Sequence, residues 1–170
     1  MTSIYWAEFK YKQDCYQLAA VDGKVCYIGG PEEGYEALEK WAARYVPGAV
    51  MIESPEQMQP FINEFEDYFS GQKRIFDMPI EPKGTDFQQE VWQALLEIPY
   101  GETRTYADIA ARVGRPKAFR AVGTAIGANP LLVVVPCHRV IAKDGGLGGF
   151  SAGLDVKRAL HAVEGISLRA

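Results

Sequence analysis

Long apolar runs are missing from this sequence, and so are the cysteine pairs and histidine clusters that mark disulfide frameworks and metal centres. The longest strongly apolar stretch, Leu131 to Val135, stops at Pro136, far short of the roughly 20 residues that cross a bilayer. No membrane span is expected. Met1 to Lys12 interleaves charged with apolar side chains, unlike the basic start and apolar core of a secretory leader, so a cytoplasmic protein is expected. Cys15, Cys26 and Cys137 are odd in number and follow no framework spacing. In a reducing compartment they read as free thiols. The only two histidines, His138 and His161, lie in the second half, and Cys15 with Cys26 cannot complete the four-ligand shell of structural zinc. Neither a metal nor a cofactor is expected, and no repeat or low-complexity tract is visible.

What is present is uneven. The formal net charge is −4, but residues 1–84 carry eight basic against fourteen acidic side chains, whereas residues 85–170 carry ten against eight. The halves differ in sign. Between 104 and 143 the basic residues Arg104, Arg112, Arg115, Lys117, Arg120, Arg139 and Lys143 face Asp108 alone. This is a candidate phosphate footprint, although a solvated positive face would look the same.

The first half reads as α/β. Ser3 to Phe9, Cys15 to Val21 and Lys24 to Ile28 have strand character, and Asp22-Gly23 is a hairpin signal because both residues tolerate positive φ. Glu32 to Tyr45 places apolar residues at helical spacing, a short strand is expected at Ala49 to Ile52, and a second helix spans about Glu56 to Phe69. Its stripe of Met58, Phe61, Ile62, Phe65 and Phe69 reads as core. Pro79, Pro82 and Gly84 punctuate a connection between units. The expected division is 1–84 and 85–170.

The second half reads as mainly helical. Thr85 with Gln88 and Thr105 with Asp108 form two capping boxes, in which the threonine caps the helix and the residue three on reaches back. The second opens a helix through Val113, followed after Gly114-Arg115-Pro116 by another from Lys117 to Ala128, which is helix-turn-helix spacing. Gly123 and Gly127 each cost about 1 kcal/mol of helix propensity relative to alanine. A close approach, by DNA or by another helix, would account for them. Leu131 to Val135 reads as a buried strand delivering Pro136-Cys137-His138-Arg139. A thiolate is the nucleophilic form of cysteine, and a free thiol is only a few per cent ionised near neutrality. A neighbouring base would help, though adjacent side chains of a strand point apart unless the chain bends or a water intervenes. An isolated pair of this kind is more often a buried inert thiol. The surrounding sequence decides.

Pro136-Cys137-His138-Arg139-Val140, Gly145 to Leu154, Lys157 and Glu164-Gly165 together resemble the O6-alkylguanine-DNA alkyltransferase family, with likeness from about Phe87 to Gly165. The resemblance implies a ribonuclease-H-like α/β domain beside a helical DNA-binding and alkyl-acceptor domain. It implies irreversible transfer of an alkyl group from guanine, with O4-alkylthymine left open, to Cys137. His138 would be the base acting through water, Glu164 the carboxylate polarising it, and Tyr106 the acid toward the departing guanine. Val140, Phe150, Ser151, Ala152, Ile126 and Asn129 would form the pocket, with Asn129 also the hinge. Arg120 would enter the base stack vacated by the flipped nucleotide. Thr105, Arg115, Lys117, Ala121, Gly123 and Thr124 would contact the minor groove, where sequence preference is weak. The implied partner is double-stranded DNA containing alkylated guanine, bound by a monomer, with cooperativity open.

Three positions depart from many relatives. Phe150 replaces tyrosine, Ala152 replaces glycine, and Val163 replaces histidine or arginine. Cys137 separates the chain from alkyltransferase-like proteins that lack the acceptor thiol. A cysteine hydrolase would use a similar triad but turn over, and a plain helix-turn-helix regulator would leave Cys137 without a purpose.

Overall fold

Alternation of apolar and polar residues builds an antiparallel meander of β1 (Ser3–Tyr11), β2 (Asp14–Val21) and β3 (Lys24–Gly29). The expected hairpin is present: Asp22 and Gly23 both have positive φ, and Val21 pairs with Lys24 across the turn. After α1 (Gly34–Tyr45), β4 (Val50–Glu53) pairs in parallel with Ser3 to Trp6 of β1, giving the order β3-β2-β1-β4. α2 (Pro55–Phe69) follows, capped by the Ser54 side chain. Ile4 and Phe9, five residues apart on one strand, point to opposite faces. Ile4, Ala19 and Tyr27 pack with Leu38 and Ala42 of α1, while Phe9 and Tyr16 pack against Phe65 and Phe69 of α2. The sheet therefore carries a helix on each face.

In this computed structural model, which describes residues 1–168, the chain divides into one compact unit of Met1–Lys83 and a second from Gly84 onward. Residues 169 and 170 of the expected second domain lie outside the described residues. The stretch expected as a mere connection contributes to the first unit, because the Pro79 carbonyl accepts from the Val25 amide and the Glu81 amide donates back to Val25. No helix among the described residues is long and apolar enough to cross a membrane.

The second unit is mainly helical. Both capping boxes form, the first opening α3 (Asp86–Leu96) and the second α4 (Tyr106–Arg112). A two-residue β5 (Arg104–Thr105) pairs in parallel with β6 (Val140–Ile141). α5 runs Phe119–Gly127, two residues later than the expected start at Lys117, and packs on α3 and α4. The Trp92 indole of α3 donates to the Ala125 carbonyl of α5 at 2.8 Å. α6 (Leu154–Glu164) closes the unit.

Leu131 to Val135 is fully buried, as a core strand would be, but it is not a strand. It curls into tight turns. Val133 has φ of 74°, which is uncommon and strained for a β-branched residue, and the Val134 amide bonds back to the Leu132 carbonyl while Val135 bonds to Leu131. Buried backbone without a ladder needs other partners. The Asn129 amide supplies them, donating to the Val135 carbonyl at 2.8 Å while its oxygen accepts from the Leu131 amide at 2.9 Å.

Candidate functional site

The coil held by Asn129 ends in one 3-10 turn, Cys137–Arg139. That turn supplies the bend that a strand would have denied, and it sends three consecutive side chains in different directions. Cys137 forms part of a hollow of about 220 Å³ lined also by Tyr106, Gly123, Ile126, Gly127, Gly149, Phe150 and Ser151. This is small beside the roughly 300–1,000 Å³ of drug-sized sites, and it suits one flat heterocycle. The pairing of β5 with β6 places Tyr106, the residue after β5, beside the chain leaving Cys137. The Tyr106 hydroxyl donates to the Gly149 carbonyl at 3.3 Å. Burial, followed by the proximity of Cys137, raises its pKa.

Burial pushes the Cys137 thiol up to about 11, against the lowering pull of the Asn129 amide and the charge of Lys157. The Asn129 nitrogen lies 3.2 Å from the sulfur. Such a thiol is protonated at neutral pH and needs a base to react.

Behind the thiol lies a buried polar network. His138 Nε2 is 2.6 Å from Glu164 Oε2. Burial lowers the His138 pKa despite the raising influence of Glu164, and Arg139 and His161 lower it further. A neutral imidazole bonded through Nε2 to a carboxylate, which only accepts, carries its proton on Nε2. Nδ1 is then left as the basic nitrogen. It is buried and no hydrogen-bonding group of the described residues reaches it.

Glu164 has further partners. Arg139 donates to it from Nε at 2.8 Å and from Nη2 at 3.1 Å, and the Gly101 amide donates at 3.0 Å. Arg139 Nη1 also bonds the Ile98 carbonyl. Arg139 is thus a correction to the basic stripe: it is only 7 % exposed and neutralises a buried carboxylate. Three other members of that stripe are paired with acids that precede residue 104, Arg104 with Glu102, Arg112 with Glu97 and Arg115 with Glu90. Arg115 also lies over the Phe87 ring.

Lys157 had no assigned role in the sequence. It is fully buried, and its ammonium donates to the Val140, Leu147 and Gly149 carbonyls at 2.7, 2.5 and 3.0 Å. Burial lowers its pKa to about 8. It ties the loop that walls the hollow to α6. His161 Nε2 lies 2.6 Å from the His138 carbonyl, and burial lowers its pKa. A signal for these residues was available in the helical spacing. The buried positions of α6 are Val156, Lys157, Leu160, His161 and Glu164, one face on which three of five side chains are polar.

Of the expected pocket residues, Ile126, Phe150 and Ser151 line the hollow, while Val140, Ala152 and Asn129 are buried outside its lining. The Val140 carbonyl already accepts from Lys157, leaving one lone pair for another donor. Of the expected DNA contacts, Lys117, Arg120, Ala121 and Thr124 are exposed. Thr105 spends its hydroxyl on the helix cap, and the Thr124 hydroxyl donates to the Arg120 carbonyl. A side-chain carbon added at Gly123 or Gly127 would meet nothing within 4 Å. Helix packing within this chain therefore does not explain either glycine. Both border open space.

Residues 86–166 match the family model described as the DNA-binding domain of 6-O-methylguanine DNA methyltransferase. The chain is 40 % identical over 162 residues to the inducible methylated-DNA–protein-cysteine methyltransferase of Bacillus subtilis, covering 95 % of this chain and 90 % of that protein. The crystal structure of the Mycobacterium tuberculosis O6-methylguanine methyltransferase is 37 % identical and superposes with a TM-score of 0.82 over 95 % of this chain and 92 % of that one. A structure of the OGT of the same organism in complex with DNA gives 36 % identity, a TM-score of 0.82, and coverage of 94 % and 92 %.

Proposed function

Because this chain belongs to the methylated-DNA–protein-cysteine methyltransferase family, whose members repair DNA by alkyl transfer, we propose that it moves an alkyl group from O6 of guanine in duplex DNA onto Cys137 in one irreversible turnover. The observation that carries this is the thiol at a base-sized hollow with a buried imidazole and carboxylate behind it. Neutral His138 takes the thiol proton at Nδ1 through a water, and Glu164 stabilises the imidazolium that forms. The sulfur attacks the alkyl carbon, the S–C bond forms as the C–O bond breaks, and the electron pair passes to guanine. Tyr106 supplies a proton so that guanine leaves neutral, and the tyrosine regains one from the imidazolium side. The balance is one S–H lost, one S–alkyl gained and one guanine restored.

An alkyl carbon inside a duplex is out of reach of a buried sulfur, so the nucleotide rotates out of the stack. Arg120, exposed on α5, fills the gap. α4 and α5 act as a helix-turn-helix with the bare face of Gly123 and Gly127 against the minor groove. Ser151 and Val140 read the base through backbone groups, with Phe150 and Ile126 as apolar walls. Lys117 and the exposed Ala121 and Thr124 lie along the DNA path. The order β3-β2-β1-β4 with its parallel fourth strand supports a ribonuclease-H-like first unit.

Incubation with duplex DNA containing O6-methylguanine is expected to raise the intact mass by one methyl group, located on Cys137. Cys137→Ser is expected to retain DNA binding and gain no mass. Multiple turnover, as from a hydrolase, or the absence of an adduct would overturn the proposal.

A further inference from the structure

Phe119 is the only one of the eight phenylalanines that is exposed, at 52 %. A single apolar side chain in water is ordinary. Its place on α5 is not. Gly123, Ile126 and Gly127 of that helix line the hollow at Cys137, and they follow Phe119 at intervals of four, seven and eight residues, which is one helical stripe. The buried residues Val122, Ala125 and Ile126 hold the helix to the core and fix its rotation. Phe119 begins this stripe one turn before Gly123, and because helical side chains lean toward the N-terminus its ring extends the exposed stripe beyond the residues that line the hollow. Beyond it the stripe is bare, since apart from the neighbouring residues and backbone of α5 itself no atom lies within 4 Å of a carbon added at Gly123 or Gly127. A trough with a ring at one end results. Arg120 lies on the adjacent stripe with Thr124, whose hydroxyl bonds the Arg120 carbonyl.

We propose that Phe119 is a positioning residue for the DNA substrate: the base next to the extruded nucleotide rests on its ring. The inference builds on base extrusion as set out above. It divides the work at the start of α5 between two neighbours. Arg120 fills the vacated place and so matters where an opposing strand exists, whereas Phe119 holds the adjoining nucleotide and serves duplex and single strand alike. Any base presents a π-face, so the contact is tolerant of sequence. Neither residue touches the sulfur or the alkyl carbon.

The test compares second-order rate constants for alkylation of Cys137 by an O6-methylguanine duplex, the same single strand, and free O6-benzylguanine. Loss of one base–aromatic stack corresponds to about 5- to 150-fold. Phe119→Ala is expected to slow both DNA reactions within that range and leave the free base unchanged, while Phe119→Tyr stays near the wild-type rates. Arg120→Ala is the reference, slowing the duplex alone. Wild-type rates for Phe119→Ala on both DNAs would overturn the proposal. So would equal slowing of the free base, which would make the ring a support of the fold, or slowing of the duplex alone. A wild-type protein that reacts with the free base but never with DNA would instead sink the repair reading itself.

Discussion

The two units bury different chemistry. In the first, the sheet is filled with rings: Phe9, Tyr16, Phe65, Tyr68 and Phe69 are buried and contact one another, and Gln17 is the one buried side chain there with an amide or charge among the described residues. In the second, Asn129, His138, Arg139, Lys157, His161 and Glu164 are all buried. Aromatic burial is non-directional and adds stability with area. Buried ions are weak evidence for stability, because their desolvation opposes their attraction, but removing one partner is costly. The first unit is thus organised for cohesion, and the second holds particular atoms in particular places.

The largest effect expected from breaking this contrast comes at Glu164. Glu164→Ala strands Arg139 and the Nε2 side of His138 in the interior, and a loss of about 3–5 kcal/mol is expected. Alkylation by free O6-benzylguanine should fall sharply even in molecules that remain folded. Denaturant unfolding and labelling rate measured on the same sample would check both, and an unaltered labelling rate would deny Glu164 a place in the chemistry.

A cohesive core predicts a different pattern. Phe65→Ala removes a ring that contacts Phe9, Tyr16 and Phe69, and about 3–5 kcal/mol of stability is expected to go with it. The folded fraction should still label at the wild-type rate. A slower rate at equal folded fraction would show that the two kinds of interior are not separable.

The smallest effect sharpens the comparison through pH. The His138 pKa is lowered by burial from the ordinary 6.5, so the folded state binds fewer protons than the unfolded one just below that value. Stability then rises with pH up to about 6.5 and declines on acidification. If His138 takes the thiol proton as proposed, the labelling rate should hold at pH 6.5 and fall only at more acidic values. A pH profile with its acid midpoint above 6.5 would contradict a buried neutral imidazole.

Features governed by near neighbours were legible in the sequence. Both capping boxes are i to i+3 exchanges, and both form. The Asp22-Gly23 hairpin needs only two residues that accept positive φ, and the stripe of α2 needs only its own period. Partnerships across long separations were not legible. Arg139 looked like a phosphate ligand because its partner lies 25 residues away, and Arg112 meets a glutamate 15 residues earlier. Leu131 to Val135 had the composition of a core strand, and its burial was foreseen correctly. Its conformation was not, because an apolar run does not reveal whether its backbone is satisfied by a ladder or by one asparagine. At the site, Cys137 and Tyr106 line one hollow and His138 meets Glu164 across 26 residues of chain. Lys157 belongs to the stretch that carries the family resemblance, but what it ties together becomes visible only when three carbonyls converge on its ammonium.

The Asn129 amide touches the backbone at Leu131 and Val135 and the sulfur at Cys137, and so it works as a ruler. Sheet pairing tolerates a slipped register by exchanging one set of equivalent bonds for another, whereas a side chain of fixed length has no second set to use. The number of residues between Asn129 and Cys137 is therefore as much a part of the site as their identities. Lengthening this segment by one residue would carry the sulfur off its mark with every side chain unchanged, while the exposed turn at Lys143 and Asp144 has no such scale to keep.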